Sequence, residues 1–347
     1  MTPDGTDVAR LLARAGQDGS GPAELVQIPG GRNNRVFRVD TGTGPFALKA
    51  YFSRPGDPRD RLDAEFRFCE FAWQRGVRTV PEPLARDDPA RLGLYEFVEG
   101  RPVAPGEVGA GHVDAALALV RDLNGDGATD PAAMALSAGS EACFSLAAHL
   151  EIVGRRVQRL DAIDPKREVN RRAVRFVAEV LQPTWHEVER RVRRDAAAAG
   201  IKAGEELPPG ERCISPSDFG FHNALVERSG EIRFIDFEYA GWDHPAKLIC
   251  DFFCQPAVPV PVEHLDRFAD GVLACTDEPR RRRTEVDLLL DVYRLKWICI
   301  LLNDFLPGGA DRRGFALGDE RSEGRKEEQL AKATAAIQVM RTVESVP

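Results

Sequence analysis

One stretch of 35 residues constrains this chain more than any other: CISPSDFGFHNALVERSGEIRFIDFEYAGWDHPAK, from Cys213 to Lys247. It holds two short strand-like runs, Ala224 to Glu227 and Ile232 to Ile235, with Ser229 and Gly230 between them as a turn signal. Asp218 stands on the loop before the first run and Asn223 follows five residues later. Asp236 ends the second run, eighteen residues after Asp218. A fold that accepts this stretch must set two carboxylates and one amide on a loop and on the end of the next hairpin strand.

The rest of the chain divides by texture. Residues 7–15 read as a short amphipathic helix, and the runs Val36 to Val39 and Phe46 to Phe52, among Gly and Asn clusters, read as hairpins. Apolar Leu62, Phe66, Cys69 and Trp73 recur at helical spacing up to Gly76. After VPEPLARDD, read as a connection, LGLYEFVEG reads as a strand leaving an edge. Beyond Gly100 helical periodicity dominates from about 111 to 200, broken by loops at 124–130 and 137–141, and helices return after the hairpin. The charged, Gly-rich segment 306–330 reads as a mobile loop before a last helix. With 347 residues there is enough chain for two packed lobes or one large domain. A β-rich first quarter before a helical remainder predicts an α+β protein with a small β-rich N-terminal lobe and a larger, mainly helical C-terminal lobe.

Two carboxylates and an amide in this arrangement suit phosphoryl transfer. One carboxylate meets an acceptor hydroxyl, while the Asn and the other carboxylate hold Mg²⁺ against a triphosphate. The order Asp, Asn five residues on, strand, turn, strand and Asp is that of a kinase catalytic loop followed by its metal-binding motif. In this register Asp218 is the catalytic-loop aspartate. The counterpart of the kinase Asp-Phe-Gly is Asp236-Phe237-Glu238, and the letters DFG at 218–220 coincide by chance.

The sequence thereby resembles the aminoglycoside phosphotransferase and choline kinase-like enzymes, which share the protein-kinase-like two-lobe fold. The resemblance runs from IPGGRNNRVFRV to LKWICILLNDFL and is most specific in SDFGFHNALVERSGEIRFIDFEYAGWDHPAK. It implies an ATP- and Mg²⁺-dependent kinase transferring the γ-phosphate to a hydroxyl of a small molecule, with Asp218 catalytic and Asn223 and Asp236 as magnesium ligands. It also implies a nucleotide-binding lobe over residues 1–98 and a catalytic and substrate-binding lobe over 99–347. PGGRNNRVFRV would be the nucleotide loop, where Gly30, Gly31 and Asn33 let backbone N–H groups approach phosphate oxygens. Lys49, alternating out of an apolar strand, takes the place of the family's phosphate-pairing lysine. Glu65 is its best ion-pair partner, with Asp63 and Glu70 as competitors. YEFVEG resembles the hinge whose backbone at Glu96 and Val98 would read adenine.

One departure concerns the catalytic loop. The family usually carries His two residues before the catalytic aspartate and Gly directly before it, where this chain has Pro216 and Ser217. Pro216 stiffens the loop by fixing φ, and Ser217 offers a local hydrogen bond. Asp251 is expected to brace the catalytic loop, His222 either to pack in the loop or to touch phosphate, and Glu238 either to line the acceptor pocket, to bind metal or to serve the structure. The run Arg280 to Arg283 reads as a solvated helix start.

The acceptor is expected to be small, because GWDHPAK follows Asp236 too closely for a long activation segment. Candidate lining residues are Glu238, Asp243, Trp297 and Asp304. A choline-type acceptor wants an aromatic cage, for which Tyr293, Trp297 and Trp242 are available. Polycationic aminoglycosides want carboxylates, of which Asp304, Asp311, Asp319 and Glu320 are candidates, and a sugar or amino sugar wants the Asn, Asp and Trp of KWICILLND. The alternatives are an antibiotic-resistance phosphotransferase and a non-catalytic nucleotide-binding protein of the same fold. A formal net charge of −8 leaves no basic field for nucleic acid. The most apolar late segment is interrupted by Asp291, Arg294, Lys296 and Asp304, so no membrane span is expected. Seven cysteines without a CxxC pair suggest reduced thiols, and the expectation is a cytoplasmic protein.

Overall fold

A computed structural model describes residues 3–17, 23–28, 34–53, 59–125, 131–306 and 319–344. The chain packs as two compact units, one of residues 1–142, 212–243 and 257–275, the other of 143–211, 244–256 and 276–347. The stretch 212–243 thus belongs to the same unit as the N-terminal strands.

In the first unit, helix α1 (Gly5–Arg14) begins at Asp4, whose carboxylate accepts from the N–H groups of Thr6 and Asp7. Strands β1 (Glu24–Ile28), β2 (Arg35–Thr41), β3 (Gly44–Ala50), β4 (Pro83–Asp87) and β5 (Leu92–Glu96) form one sheet in the order β1-β2-β3-β5-β4, antiparallel throughout. The two-residue period of a strand divides its side chains between two faces. On one face Phe37, Val39, Leu48, Leu92 and Leu94 pack against Val8, Leu11 and Leu12 of α1. By the same alternation Lys49, Tyr51, Gly93 and Tyr95 belong to the other face.

Helix α2 (Arg61–Gln74) is capped by Asp60, and Gly76, with φ +80°, follows its end as expected. Two expectations are corrected here. The connection VPEPLARDD contains β4, an edge strand; its entry at Pro83 is marked by a register shift, and an edge is where proline's missing donor costs least. That edge strand makes β5 an interior one, lying between β3 and β4.

The same unit holds β6 (Arg101–Pro102), β7 (Cys213–Ser215), β8 (Ala224–Val226), β9 (Ile232–Phe234) and β10 (Gly241–Asp243). They pair as β6-β8-β9 and β7-β10. Helices α3 (Ala110–Asn124), α4 (Pro131–Met134) and α9 (Leu265–Leu273) complete it.

The other unit is helical. It contains α5 (Leu146–Arg159), α6 (Glu168–Phe176) continuing through a π turn into α7 (Gln182–Ala198), α8 (Pro245–Cys254), α10 (Pro279–Leu301) and α11 (Asp319–Glu344). Helix α10 buries Val286, Leu289, Val292, Tyr293, Leu295 and Ile298. The thiols of Cys250 and Cys254, four residues apart on α8, point at the carbonyls of Val286 and Leu290.

Three further expectations change in this unit. Arg282 is not a solvated helix start: it is 3% exposed and paired with Glu285, Glu278 and Glu211. Asp251, expected to brace the catalytic loop, is engaged within its own helical unit. Its carboxylate accepts from Lys296 at 2.8 Å and from the Trp297 indole at 3.0 Å, because a buried carboxylate takes the donors its own helix pair supplies. The segment expected as a loop becomes helical from Asp319, where Glu, Arg, Lys and Gln favour helix; its residues 307–318 lie outside the described ones. No described helix is long and apolar enough to cross a membrane.

Candidate active site

The site builds from Lys49 in the first unit. Its Nζ donates to both oxygens of Glu65 and to Oδ1 of Asp236, each at 2.8 Å, and the residue is 8% exposed. Burial pulls the ammonium pKa down, but the charges of Asp236 and Glu65 outweigh it and the net shift is upward. Lysine has three N–H donors, and all three are spent. The choice of Glu65 over its competitors follows from the helix face, for Asp63 accepts from Arg67 and Arg86 while Glu70 is exposed.

Strand β7 leads through Pro216 and Ser217 to Asp218. Ser217 has φ +64°, a left-handed conformation that suits glycine, and Asp236 has φ +71°. The Ser217 hydroxyl, buried against Gly139, finds no partner among the described residues, while the Ser217 N–H donates to Ser215 Oγ at 3.1 Å. The Phe219 N–H bonds the Ser217 carbonyl at 2.5 Å, and the ring of Phe219 packs on Phe234 below. A short 3₁₀ turn, Phe221–Asn223, then returns the chain to β8. The Asn223 side-chain N–H₂ donates to the Asp218 carbonyl at 2.9 Å, and the Asn223 carbonyl accepts from Ile235 N–H at 2.9 Å. One hairpin therefore ties the amide, the first aspartate and the residue preceding the second. Asp218 and Asp236 keep 36% and 40% of their side-chain surface exposed, against 4% for Glu65. His222 Nε2 lies 3.2 Å from Asp218 Oδ1.

The segment after β8 is held to the large sheet at three points. Arg233 bonds Glu96 of β5 at 2.6 Å, Asp236 meets Lys49 of β3, and Glu238 accepts from Asn34, just before β2, at 2.5 Å. Arg61 of α2 stands 3.6 Å from Glu238, and Phe237 stacks on Phe68 of α2 with ring centroids 4.6 Å apart. Behind it, Gly241, with φ +153°, lets Ser137 to Ser140 pass: a Cβ there would come 2.3 Å from the Ser137 carbonyl.

Among oxygen donors for a cation, Asn223 keeps Oδ1 and Asp236 keeps Oδ2 beyond the bonds just described. Among the described residues no three His, Cys, Asp or Glu side chains gather as a metal cage. One amide and one carboxylate fit Mg²⁺, which takes its remaining ligands from water and phosphate.

The structure thus brings together Lys49, Glu65, Asp218, Asn223 and Asp236. Glu96 lies at the end of β5 with its carboxylate on Arg233, and Val98 is buried at 9% exposure. Gly30, Gly31, Asn33 and Asp311 lie outside the described residues, as do the side chains of Asp319 and Glu320. Glu238 is 3% exposed and taken up by Asn34 and Arg61, which makes it a brace. Asp243 is fully buried at the end of β10. In the helical unit, Trp297 donates to Asp251 and Asp304 accepts from Arg325. Tyr293 does not serve an open aromatic cage, for it is 0% exposed and its hydroxyl lies 2.7 Å from His149 Nδ1.

Sequence reasoning missed Tyr51, Tyr95, Asn34, Arg61 and Arg233. Tyr51 alone carried a signal, two residues after Lys49 and so on its side of the strand.

A family model described as the phosphotransferase enzyme family (APH) matches residues 24–283. None of the curated protein sequences compared with the chain matches it. Among solved structures, a choline/ethanolamine kinase family protein from Mesorhizobium loti is similar at 20% identity and TM-score 0.53, over 97% of this chain and 100% of that one. A macrolide 2′-phosphotransferase from Brachybacterium faecium is similar at 16% identity and TM-score 0.52, over 94% and 97%. A spectinomycin phosphotransferase in complex with ADP and spectinomycin is similar at 11% identity and TM-score 0.50, over 91% and 93%. At these identities the likeness is one of fold: a five-stranded antiparallel sheet followed by a largely helical region, the protein-kinase-like arrangement.

Proposed function

The chain belongs to the phosphotransferase enzyme family, and from that premise we propose that it is an ATP- and Mg²⁺-dependent kinase of a sugar-like, amino-sugar or related hydroxylated metabolite. The observation that carries the proposal is the Lys49 ammonium, shared at 2.8 Å between Glu65 and Asp236 beside the Asp218–Asn223 link. Such a cation pairs with the phosphates of a nucleotide, and ADP occupies one of the similar structures. Residues 1–98 serve the nucleotide in this reading and 99–347 the chemistry and the acceptor.

Asp218, which keeps 36% of its side-chain surface exposed, orients the acceptor hydroxyl and takes its proton late, as the new O–P bond forms and the bond from the γ-phosphorus to the leaving ADP breaks. Asn223 and Asp236 would hold Mg²⁺, which when bound supplies neutralisation of phosphate charge. Lys49 contributes the remaining fixed positive charge, and the left-handed backbone at Asp236 aims its carboxylate. Loose phosphoryl-transfer transition states gain mostly from such positioning.

The test is a phosphate-transfer screen with MgATP against sugars, amino alcohols, aminoglycosides and macrolides. Transfer to a metabolite, lost by about 10²–10⁴-fold in Asp218→Asn, is the expected result. Transfer confined to an antibiotic would favour a resistance enzyme. Absence of both turnover and Mg²⁺-dependent nucleotide binding would favour a non-catalytic protein and overturn the proposal.

A further inference from the structure

We propose that Tyr51 is a positioning residue that lets Lys49 release one carboxylate oxygen in order to engage a nucleotide phosphate, with Tyr95 holding Tyr51 in place. The functional half of this proposal rests on the nucleotide reading above; the structural half stands on its own.

Lys49 has no donor to spare. Its three N–H groups go to Glu65 Oε1, Glu65 Oε2 and Asp236 Oδ1. To touch a phosphate oxygen while keeping its bond to the half-exposed Asp236, it must turn one hydrogen away from Glu65, and a buried carboxylate oxygen left without a donor is costly. Glu65 Oε2 is the exception, because the Tyr51 hydroxyl also donates to it at 2.7 Å. Tyr51 in turn lies 2.8 Å from the Tyr95 hydroxyl, and both rings are buried, at 6% and 2% exposure. With Tyr51 committed to the carboxylate, Tyr95 is the donor of that second bond. Burial and the Glu65 charge raise both phenol pKa values, so the hydroxyls stay protonated.

The sheet is shaped to admit this chain of donors. On β5 the residue paired with Lys49 is Gly93. A Cβ at that position would come 2.7 Å from a Tyr95 ring carbon and 2.9 Å from its hydroxyl oxygen. Only a bare position opposite Lys49 leaves room for the Tyr95 ring to reach Tyr51.

Calorimetric titration with MgADP tests the proposal. Tyr51→Phe, which keeps the ring, is expected to weaken MgADP binding about tenfold, and Tyr95→Phe by less. In a Glu65→Gln background, Tyr51→Phe is expected to add no further loss, since the hydroxyl acts through that carboxylate. A lower melting temperature with unchanged MgADP affinity would make Tyr51 merely structural and overturn the proposal. Acetylation of Lys49 by acetic anhydride, read by mass spectrometry without nucleotide, separates the two halves. Slower labelling in Tyr51→Phe than in wild type supports the brace even should wild-type protein bind no MgADP, in which case the nucleotide reading alone falls. Equal or faster labelling sinks the brace itself.

Discussion

Ser217 occupies a left-handed backbone position with its hydroxyl buried and unbonded, so Ser217→Gly should stabilise the protein. Relief of the left-handed strain contributes roughly 1–2 kcal/mol. Removing a buried hydroxyl that has no partner contributes a further ~1–3 kcal/mol. Against this stand the greater backbone entropy that glycine loses on folding, about 0.5–1 kcal/mol, and a void of about a methyl group, ~1 kcal/mol. The balance is a gain on the order of 1 kcal/mol, which raises the melting temperature by about 2 °C in a chain of this size. Differential scanning calorimetry measures it. Ser217→Ala provides the internal control, because it removes the hydroxyl but leaves a Cβ at φ +64°. It should gain less than glycine does. Equal gains from both variants would show that the backbone is unstrained, and a lower melting temperature for Ser217→Gly would refute the reasoning outright.

Asp236→Asn removes one of the two carboxylates that hold Lys49, so amine-labelling of Lys49 should accelerate and Mg²⁺-dependent nucleotide binding should fall at least tenfold; unchanged values in both assays would reject the assigned role. Burial, then His244, Lys247 and Lys296, lower the pKa of His149, so the unfolded chain binds a proton below about pH 6.5 that the folded chain refuses. Stability should therefore drop as pH falls below that value, by up to ~1.4 kcal/mol per pH unit, and His149→Gln should flatten the slope of urea midpoint against pH between 7.5 and 5.5. Gly241→Ala places a Cβ 2.3 Å from the Ser137 carbonyl at a left-handed φ, which should cost about 2 kcal/mol or more by thermal unfolding, with a near-neutral result rejecting the packing of 137–140 there.

The parts of the site that were legible in the sequence are those whose chemistry is tied to spacing. Asp218, Asn223 and Asp236 sit on one hairpin, so their separations along the chain dictate their proximity, and helical periodicity points Glu65 rather than Asp63 toward the sheet. The braces were not legible, because each joins residues from different elements. Nothing near Asn34 announces Glu238, 204 positions away, and nothing near Glu96 announces Arg233. Asp251 misled because its acid was read against the nearest motif in sequence, whereas its partners come from a helix 45 residues on. Strand β4 escaped because Pro83 reads as a break and tells nothing of the edge position that tolerates it.

The three-point attachment of residues 233–238 to the sheet also bears on how this chain emerges from the ribosome. Lys49 and Asp236 are 187 residues apart, an interval of about 10–40 s at ordinary elongation rates. For that time Lys49 has only Glu65 of its two carboxylate partners, and the face of the sheet that carries it waits for residues still being translated. A nascent chain stalled before the hairpin would expose that face, which marks the interval as the one in which a holding chaperone has most to protect.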